Sequence, residues 1–338
     1  MNVTHLPGGT LSREITATRE RIVAVQREMV TERLADPAGT LGAGRGEGLS
    51  MRGEAARLDR IRETNGLSAA FVEAAAAQLA AMGHTSGRLA QTLVGAVSGG
   101  LDRDFTRASL LVARDEIAAS LNATFGGAHL FAGVTSQTEP VADPAAASAA
   151  WEARFAARFG HGSDDPAAGN IAPADAAAFA SQSVAWLSGS GWSLVSNASD
   201  RPVKARIAPG ETLEMSVSAN EGAAREAYAA AFVSERLFAS GLEGDALRAV
   251  AETTLGTAAA AGAGLARLEG HLGLAAERIE RASDRLSLAA DHLRGVAAER
   301  ERVDPFEAAQ RFQANVTQLE TAYALTGRLA DLSLMRYL

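Results

Sequence analysis

The sequence predicts a mainly α protein: a long antiparallel, coiled-coil-like helical rod built from the N- and C-terminal segments, with a smaller mixed α/β lobe in the middle. Three observations carry this expectation. Apolar residues make up 47% of the 338-residue chain but aromatics only 5%, so alanine supplies much of the apolar content. That composition suits long helices in close approach better than a bulky core. Both halves of the chain also repeat apolar residues at alternating spacings of three and four, the signature of a helical seam. Between the halves the pattern breaks into turns and short alternating runs, which read as strands and loops.

The first element is an amphipathic helix over residues 11–34, with Leu11, Ile15, Ile22, Val25, Met29 and Leu34 at helical spacing. GAGRGEG at 42–48 follows and reads as a flexible glycine-rich linker. It lacks the spacing of a phosphate-binding GxxxxGK[ST] loop, and no apolar strand precedes it as a dinucleotide fingerprint requires. A heptad seam then runs through Leu58, Ile61, Asn65, Ser68, Val72, Ala75, Leu79, Met82, Ser86, Leu89, Leu93 and Ala96, and Gly99-Gly100 breaks it. A second helix over 103–125 carries Leu110, Leu111, Ile117 and Leu121, with Gly126-Gly127 as its stop.

The stretch GGAHLFAGVTSQTEPV at 126–141 is sharply written yet holds no nucleophile and no convincing metal set. It reads as a structural turn made by Gly126, Gly127, Leu130, Phe131 and Gly133. The middle, 140–245, carries Asp143-Pro144, Asp165-Pro166 and Ala172-Pro173 as turn signals. Within it VKARI and TLEMSV flank Ala208-Pro209-Gly210 as a β-hairpin, and 222–240 returns to helix. The second seam is cleaner: Leu265, Leu268, Leu272, Ala275, Ile279, Ala282, Leu286, Ala289, Leu293, Val296 and Val303, interrupted at Arg300. Asp304-Pro305 reads as a helix restart, with Asp as cap and Pro in the first turn. Phe306, Phe312, Val316, Leu319, Tyr323, Leu325, Leu329 and Leu332 then continue an amphipathic helix to the end.

The expected division is therefore 1–48, an N-terminal assembly helix and linker; 49–139, the N-terminal half of the rod with its hairpin; 140–245, the middle lobe; 246–304, the C-terminal half of the rod; and 305–338, a C-terminal assembly helix.

Function classes fall away in turn. A net charge of −8 speaks against a nucleic-acid partner, which needs a concentrated basic face. The chain has no cysteine, which removes disulfides, thiolate catalysis and zinc–thiolate sites. The six histidines, at 5, 84, 129, 161, 271 and 292, never lie three or four residues apart, so none reads as a paired metal ligand. Asp164-Asp165 precedes a proline and reads as a loop, and SGSGW at 188–192 lacks the GxSxG spacing of a hydrolase elbow. No catalytic, cofactor-binding or metal residue is expected, and the chain reads as no enzyme. The apolar window at 69–82 is too short to span a bilayer and contains Glu73, so no membrane insertion is expected. MNVTHLPGGTLSREI lacks the charged start and apolar core of a cleaved leader.

Apolar helical surface is what remains to carry function, by self-association or partner binding. The expected assembly interface is Ile15, Ile22, Val25 and Met29 at one end, with Phe312, Val316, Leu319, Tyr323, Leu329, Leu332, Leu334, Tyr337 and Leu338 at the other. A lone amphipathic helix of this length is marginal in water. Either both terminal helices fold back on the rod, or they stay loosely ordered until subunits stack.

RLADPAG at 33–39 resembles the stretch that follows the first helix in the flagellin superfamily. LNATFGGAHLFAGVTSQTEPV at 121–141 is similar to that superfamily's helix end and first hairpin, and SLMRYL at 333–338 resembles the ending of its hook-associated junction members. The resemblance covers both ends and the 121–141 bend. It implies a structural subunit of the bacterial flagellum, a ring of copies at the hook–filament junction. Export would run through the flagellar type III channel without a cleaved signal. The implied partners are copies of the chain itself, a hook-side junction protein, flagellin, and a cytoplasmic export chaperone at the C-terminal helix. A filament flagellin is the nearest alternative. A non-flagellar coiled-coil binding protein and an enzyme sited near Trp151, Trp186 or Trp192 are the others.

Overall fold

The structure is a computed structural model and describes residues 8–36, 45–99 and 102–334. Among them are eight α-helices and two short hairpins. The helices are α1 (Gly8–Thr31), α2 (Arg45–Val97), α3 (Arg103–Leu121), α4 (Ala145–Phe159), α5 (Pro173–Ser188), α6 (Gly222–Ala239), α7 (Gly244–Arg300) and α8 (Pro305–Leu334). Strands β1 (Thr124–Phe125) and β2 (Ala128–His129) form one antiparallel pair, and β3 (Lys204–Ala208) and β4 (Glu211–Glu214) the other. The chain is thus mainly α with a small β component, as its composition predicts. It divides into two compact units, residues 1–60 with 286–338, and residues 61–285.

The larger unit is organised on α6. Ala224, Ala227, every residue from Tyr228 to Glu235, Leu237 and Phe238 are all buried, so this helix is apolar nearly all round, as a central core helix must be. It packs against α3 and α5. Its one buried carboxylate, Glu235, faces Arg114 of α3 at 3.3 Å. Trp151, Phe155 and Phe179 cluster between α4 and α5 with ring centroids 5.3–5.7 Å apart; Phe179 meets the other two edge-to-face, a geometry that aromatic quadrupoles favour, and Trp151 and Phe155 are tilted.

The predicted seams meet in this unit. Val72, Ala75, Leu79, Met82, Leu89 and Leu93 of α2 and Leu265, Leu272, Ala275, Ile279 and Ala282 of α7 lie in one buried core. The two helices run antiparallel: Asn65 Nδ2 donates to Ser283 Oγ at 3.2 Å, and a Cβ on Gly262 would lie 3.7 Å from that of Ser86. The β3–β4 hairpin straps both helices. Asn65 Nδ2 also donates to the Ile207 carbonyl at 2.9 Å, and Glu211 accepts from Arg278 at 2.9 Å and Arg285 at 3.2 Å. Pro209-Gly210 makes its turn, with Gly210 at φ +79°. Over residues 47–97, α2 is long and apolar enough by length and composition to cross a membrane; Val72, Ala75, Leu79, Met82, Leu89 and Leu93 of its seam are buried in this core.

Two boundaries differ from expectation. Residues 45–48 of the glycine-rich run are the first turn of α2 rather than linker, and residues 37–44 lie outside the described residues. Helix α3 stops at Leu121, not at the Gly126-Gly127 pair. Asn122 closes it, because its side chain bonds Val141 in both directions, Oδ1 accepting from the Val141 amide and Nδ2 donating to its carbonyl, each at 2.8 Å. The glycines are the turn of the β1–β2 hairpin.

Tyr228 is buried on α6, and that burial pushes its phenol up to about 12. A folded-state value above the unfolded one near 10 stabilises the fold fully below pH 10, and that contribution is lost as pH rises through 12. Alkaline unfolding followed by circular dichroism should therefore steepen between about pH 10 and 12, and Tyr228→Phe should remove that part of the loss.

Candidate functional site: the paired terminal helices and the hairpin corner

In the smaller unit α1 packs on α8. The apolar contact is modest: Val25, Val303 and Ala308 are buried, with Leu34 and Phe312 packed against them. Polar bonds complete it. Val303 N donates to the Glu32 carbonyl at 3.0 Å and Leu34 N to the Glu301 carbonyl at 2.9 Å, forming an antiparallel bridge of Arg33 with Arg302. Glu32 sits at φ +54°, a left-handed conformation that L side chains adopt at a cost and that here reverses the chain into the bridge. Glu28 is buried; its Oε1 accepts from Ala35 N at 3.0 Å and its Oε2 faces Arg311 Nη2 at 3.2 Å. Arg19 donates to the Tyr323 hydroxyl and stacks over its ring. Asp304 caps α8 by accepting from Phe306 N at 2.8 Å, as the Asp-Pro signal predicts.

The first turns of α2 and the end of α7 also belong to this unit. Glu47 pairs with Arg300, Arg52 with Glu301, and Asp59 with Arg294. Ala55, Leu58, Leu286, Ala290 and Ala297 are buried along the same stretch.

Of the expected interface residues, Val25 is buried, while Ile15, Ile22, Phe312, Val316 and Leu319 are half-buried. Met29 and Tyr323 are exposed. Leu329, Leu332 and Leu334 lie on α8, but their side chains, with all of Tyr337 and Leu338, fall outside the described residues. The most open apolar side chains of the pair lie outside that expected set. Val30 is 82% exposed and Phe306 83%, with Val23 and Leu325 also open. Phe306 and Leu325 read as part of the amphipathic stripe of the C-terminal helix without being assigned to the interface, and Val23 and Val30 lie off the stripe of the first helix.

The hairpin corner is a dense junction. Leu130 and Phe131 are fully buried. Phe131 O accepts from Ala219 N at 2.8 Å, Ala132 O from Ser199 N at 3.0 Å, and Arg201 O from Val134 N at 3.1 Å. Gly126, Gly127 and Gly133 all have positive φ. At Gly133 a Cβ would sit 2.5 Å from the Ser199 carbonyl oxygen, so glycine is required there twice over, by conformation and by contact. His129 Nδ1 lies 2.9 Å from the Asn122 carbonyl, a turn contact. Periodicity had no means to find the second hub, Asn220. Its Oδ1 accepts from Trp192 Nε1 and Ser196 Oγ, both at 2.7 Å, and its Nδ2 donates to Ala198 O at 2.9 Å and Asp200 Oδ1 at 2.8 Å.

The tryptophans have packing roles. Trp151 is buried beneath Arg236, Trp186 lies under Arg154, and Trp192 bonds Asn220. No group of three or more metal-ligating side chains occurs among the described residues.

Comparison with known proteins follows the same geography. Residues 4–136 match the model of the bacterial flagellin N-terminal helical region, and residues 255–338 that of the bacterial flagellin C-terminal helical region. Together they cover well over half of the chain. No curated protein matches the chain by sequence. Among solved structures, one described as a flagellar hook-associated protein from Vibrio parahaemolyticus superposes with a TM-score of 0.54 at 11% identity, covering 76% of this chain and 97% of that one. At that identity the likeness is one of fold.

Removing the Phe131 ring should cost about 3–5 kcal/mol, the usual range for emptying a fully buried aromatic site. Thermal melts of Phe131→Ala by circular dichroism should show a clearly lowered midpoint, and Gly133→Ala should be at least as damaging.

Proposed function

Since the chain belongs to the flagellin superfamily and is a structural subunit of the bacterial flagellum, we propose that it forms a ring of copies at the hook–filament junction. Its terminal helices are the joining surface. The observation that carries this reading is the α1–α8 pair, in which the two family-matched ends of the chain meet. Their contact buries few apolar residues and leaves Val23, Val30, Phe306 and Leu325 in water. A folded subunit gains by covering such side chains, and further copies of a repeating assembly supply the cover.

On this reading the subunit contacts a hook-side junction protein on one side and flagellin on the other. The C-terminal helix is held by an export chaperone before the chain passes, unfolded, through the type III channel. The pair is weak enough to be loosely ordered in the free monomer and to firm up on stacking. Flagellin-family proteins are structural rather than enzymatic, so the work is mechanical joining. The hook-associated structure of similar fold supports the junction position over the filament, as does the SLMRYL ending.

Deleting residues 305–338 should leave a soluble, mainly helical protein by circular dichroism and abolish swimming. Motile cells carrying the deletion would defeat the proposal. Immunogold labelling of intact flagella should mark a single band between hook and filament; label along the whole filament would make the chain a flagellin instead.

A further inference from the structure

The apolar rows do not by themselves set the height of α1 on α8. Ile15, Ile22 and Met29 on α1 follow one another at seven residues, as do Phe312 and Leu319, and Val316 and Tyr323, on α8. A slip of one heptad therefore keeps apolar side chains along these rows, while at the small buried contact it brings Thr18 or Glu32 to the place of Val25 and Glu301 or Asn315 to that of Ala308.

Such a slip also breaks the Arg33–Arg302 bridge and the Arg19–Tyr323 bond, but the contact it breaks at greatest cost is a buried ion pair. Glu28 is 6% exposed, and its cation is Arg311. Arg311 and Arg328 are the only basic residues of α8. Seven residues either side of Arg311 stand Asp304 and Gln318, and seven either side of Glu28 stand Arg21 and Ala35. Either one-heptad slip thus leaves the buried carboxylate facing an acid or a neutral side chain. A buried charge without its partner is heavily penalised, whereas the intact pair adds little net stability; its best-attested use is selecting one register.

We infer that Glu28, through Arg311, selects a single register of α1 on α8. It thereby decides which apolar side chains of the pair stay outward for neighbouring copies. The register claim stands on the geometry alone; its consequence for neighbours rests on the assembly reading above.

The absence of native cysteine makes the test direct. Arg33 and Arg302 are antiparallel bridge partners and both exposed. Bridge partners sit roughly 4.5–5.5 Å apart at Cα, within disulfide range. Full-length protein carrying Arg33→Cys and Arg302→Cys should cross-link efficiently under mild oxidation. Adding Arg311→Met should lower the yield by about fivefold or more, as leaving a buried carboxylate unpaired predicts. Arg311→Lys should keep most of it, and the exchange Glu28→Arg with Arg311→Glu should recover more than half. The double variant Glu28→Leu with Arg311→Met carries no buried charge and so folds whatever the single variant does; it should also lose yield while keeping its helical circular dichroism. Unchanged cross-linking in Arg311→Met and in the double variant would overturn the inference. A double variant that loses the cross-link yet builds functional flagella at the normal rate would confirm the register role and count against the terminal pair as the joining surface.

Discussion

Alanine sets how closely the helices of this protein approach, and most of the structure follows from it. Where α2 and α7 pass each other with small residues such as Ala75, Ser86, Gly262 and Ala275, the axes can come near without large side chains to fill the gap. The consequence is a core spread thinly along length instead of gathered at one point. Bulky apolar side chains concentrate where a layered body needs them, on α4, α5 and α6 around Trp151, Phe155, Phe179 and Phe232. The thin seam is supplemented by directed contacts: the Asn65 amide, the Glu211 strap, and guanidinium–carboxylate pairs in each unit. These add specificity of placement more than net stability, since exposed ion pairs contribute only about 0–1 kcal/mol each.

The corner at 122–134 shows how a motif can be conspicuous without being reactive. Its residues are chosen for backbone reasons. Asn122 substitutes for a strand partner, and the glycines reach conformations that other residues avoid. The main chain of Phe131 and Ala132 then sews three distant stretches together. A chemist searching for a nucleophile finds none because the work is done by carbonyl and amide groups common to every residue.

Much of the fold was legible from periodicity. Both seams, the β3–β4 hairpin with its Pro-Gly turn and the Asp304 cap were there to be read, because helices, turns and caps are local and their signals lie within a few residues. Asn220 and Glu28 were not. Their cation and hydrogen-bond partners stand far off in sequence, and a polar residue in a turn or on a helix looks alike whether it meets solvent or a buried partner. The end of α3 was misplaced for a related reason: the side chain that closes it bonds a residue nineteen positions away, while the glycines that attract the eye belong to the next turn. The exposed apolar surface of the α1–α8 pair was only half visible, since Val23 and Val30 lie off the stripe that periodicity selects.

The larger unit begins at Ile61 and ends at Arg285, and the bond between Asn65 and Ser283 holds those two boundaries side by side on antiparallel helices. In topological terms that unit is a cassette with neighbouring entrance and exit. Evolution or an engineer can lengthen, trim or replace such a piece while its two flanking strands of helix keep their spacing. The length of the central lobe is therefore free to drift between relatives in a way that the terminal segments, bound to each other residue by residue, are not.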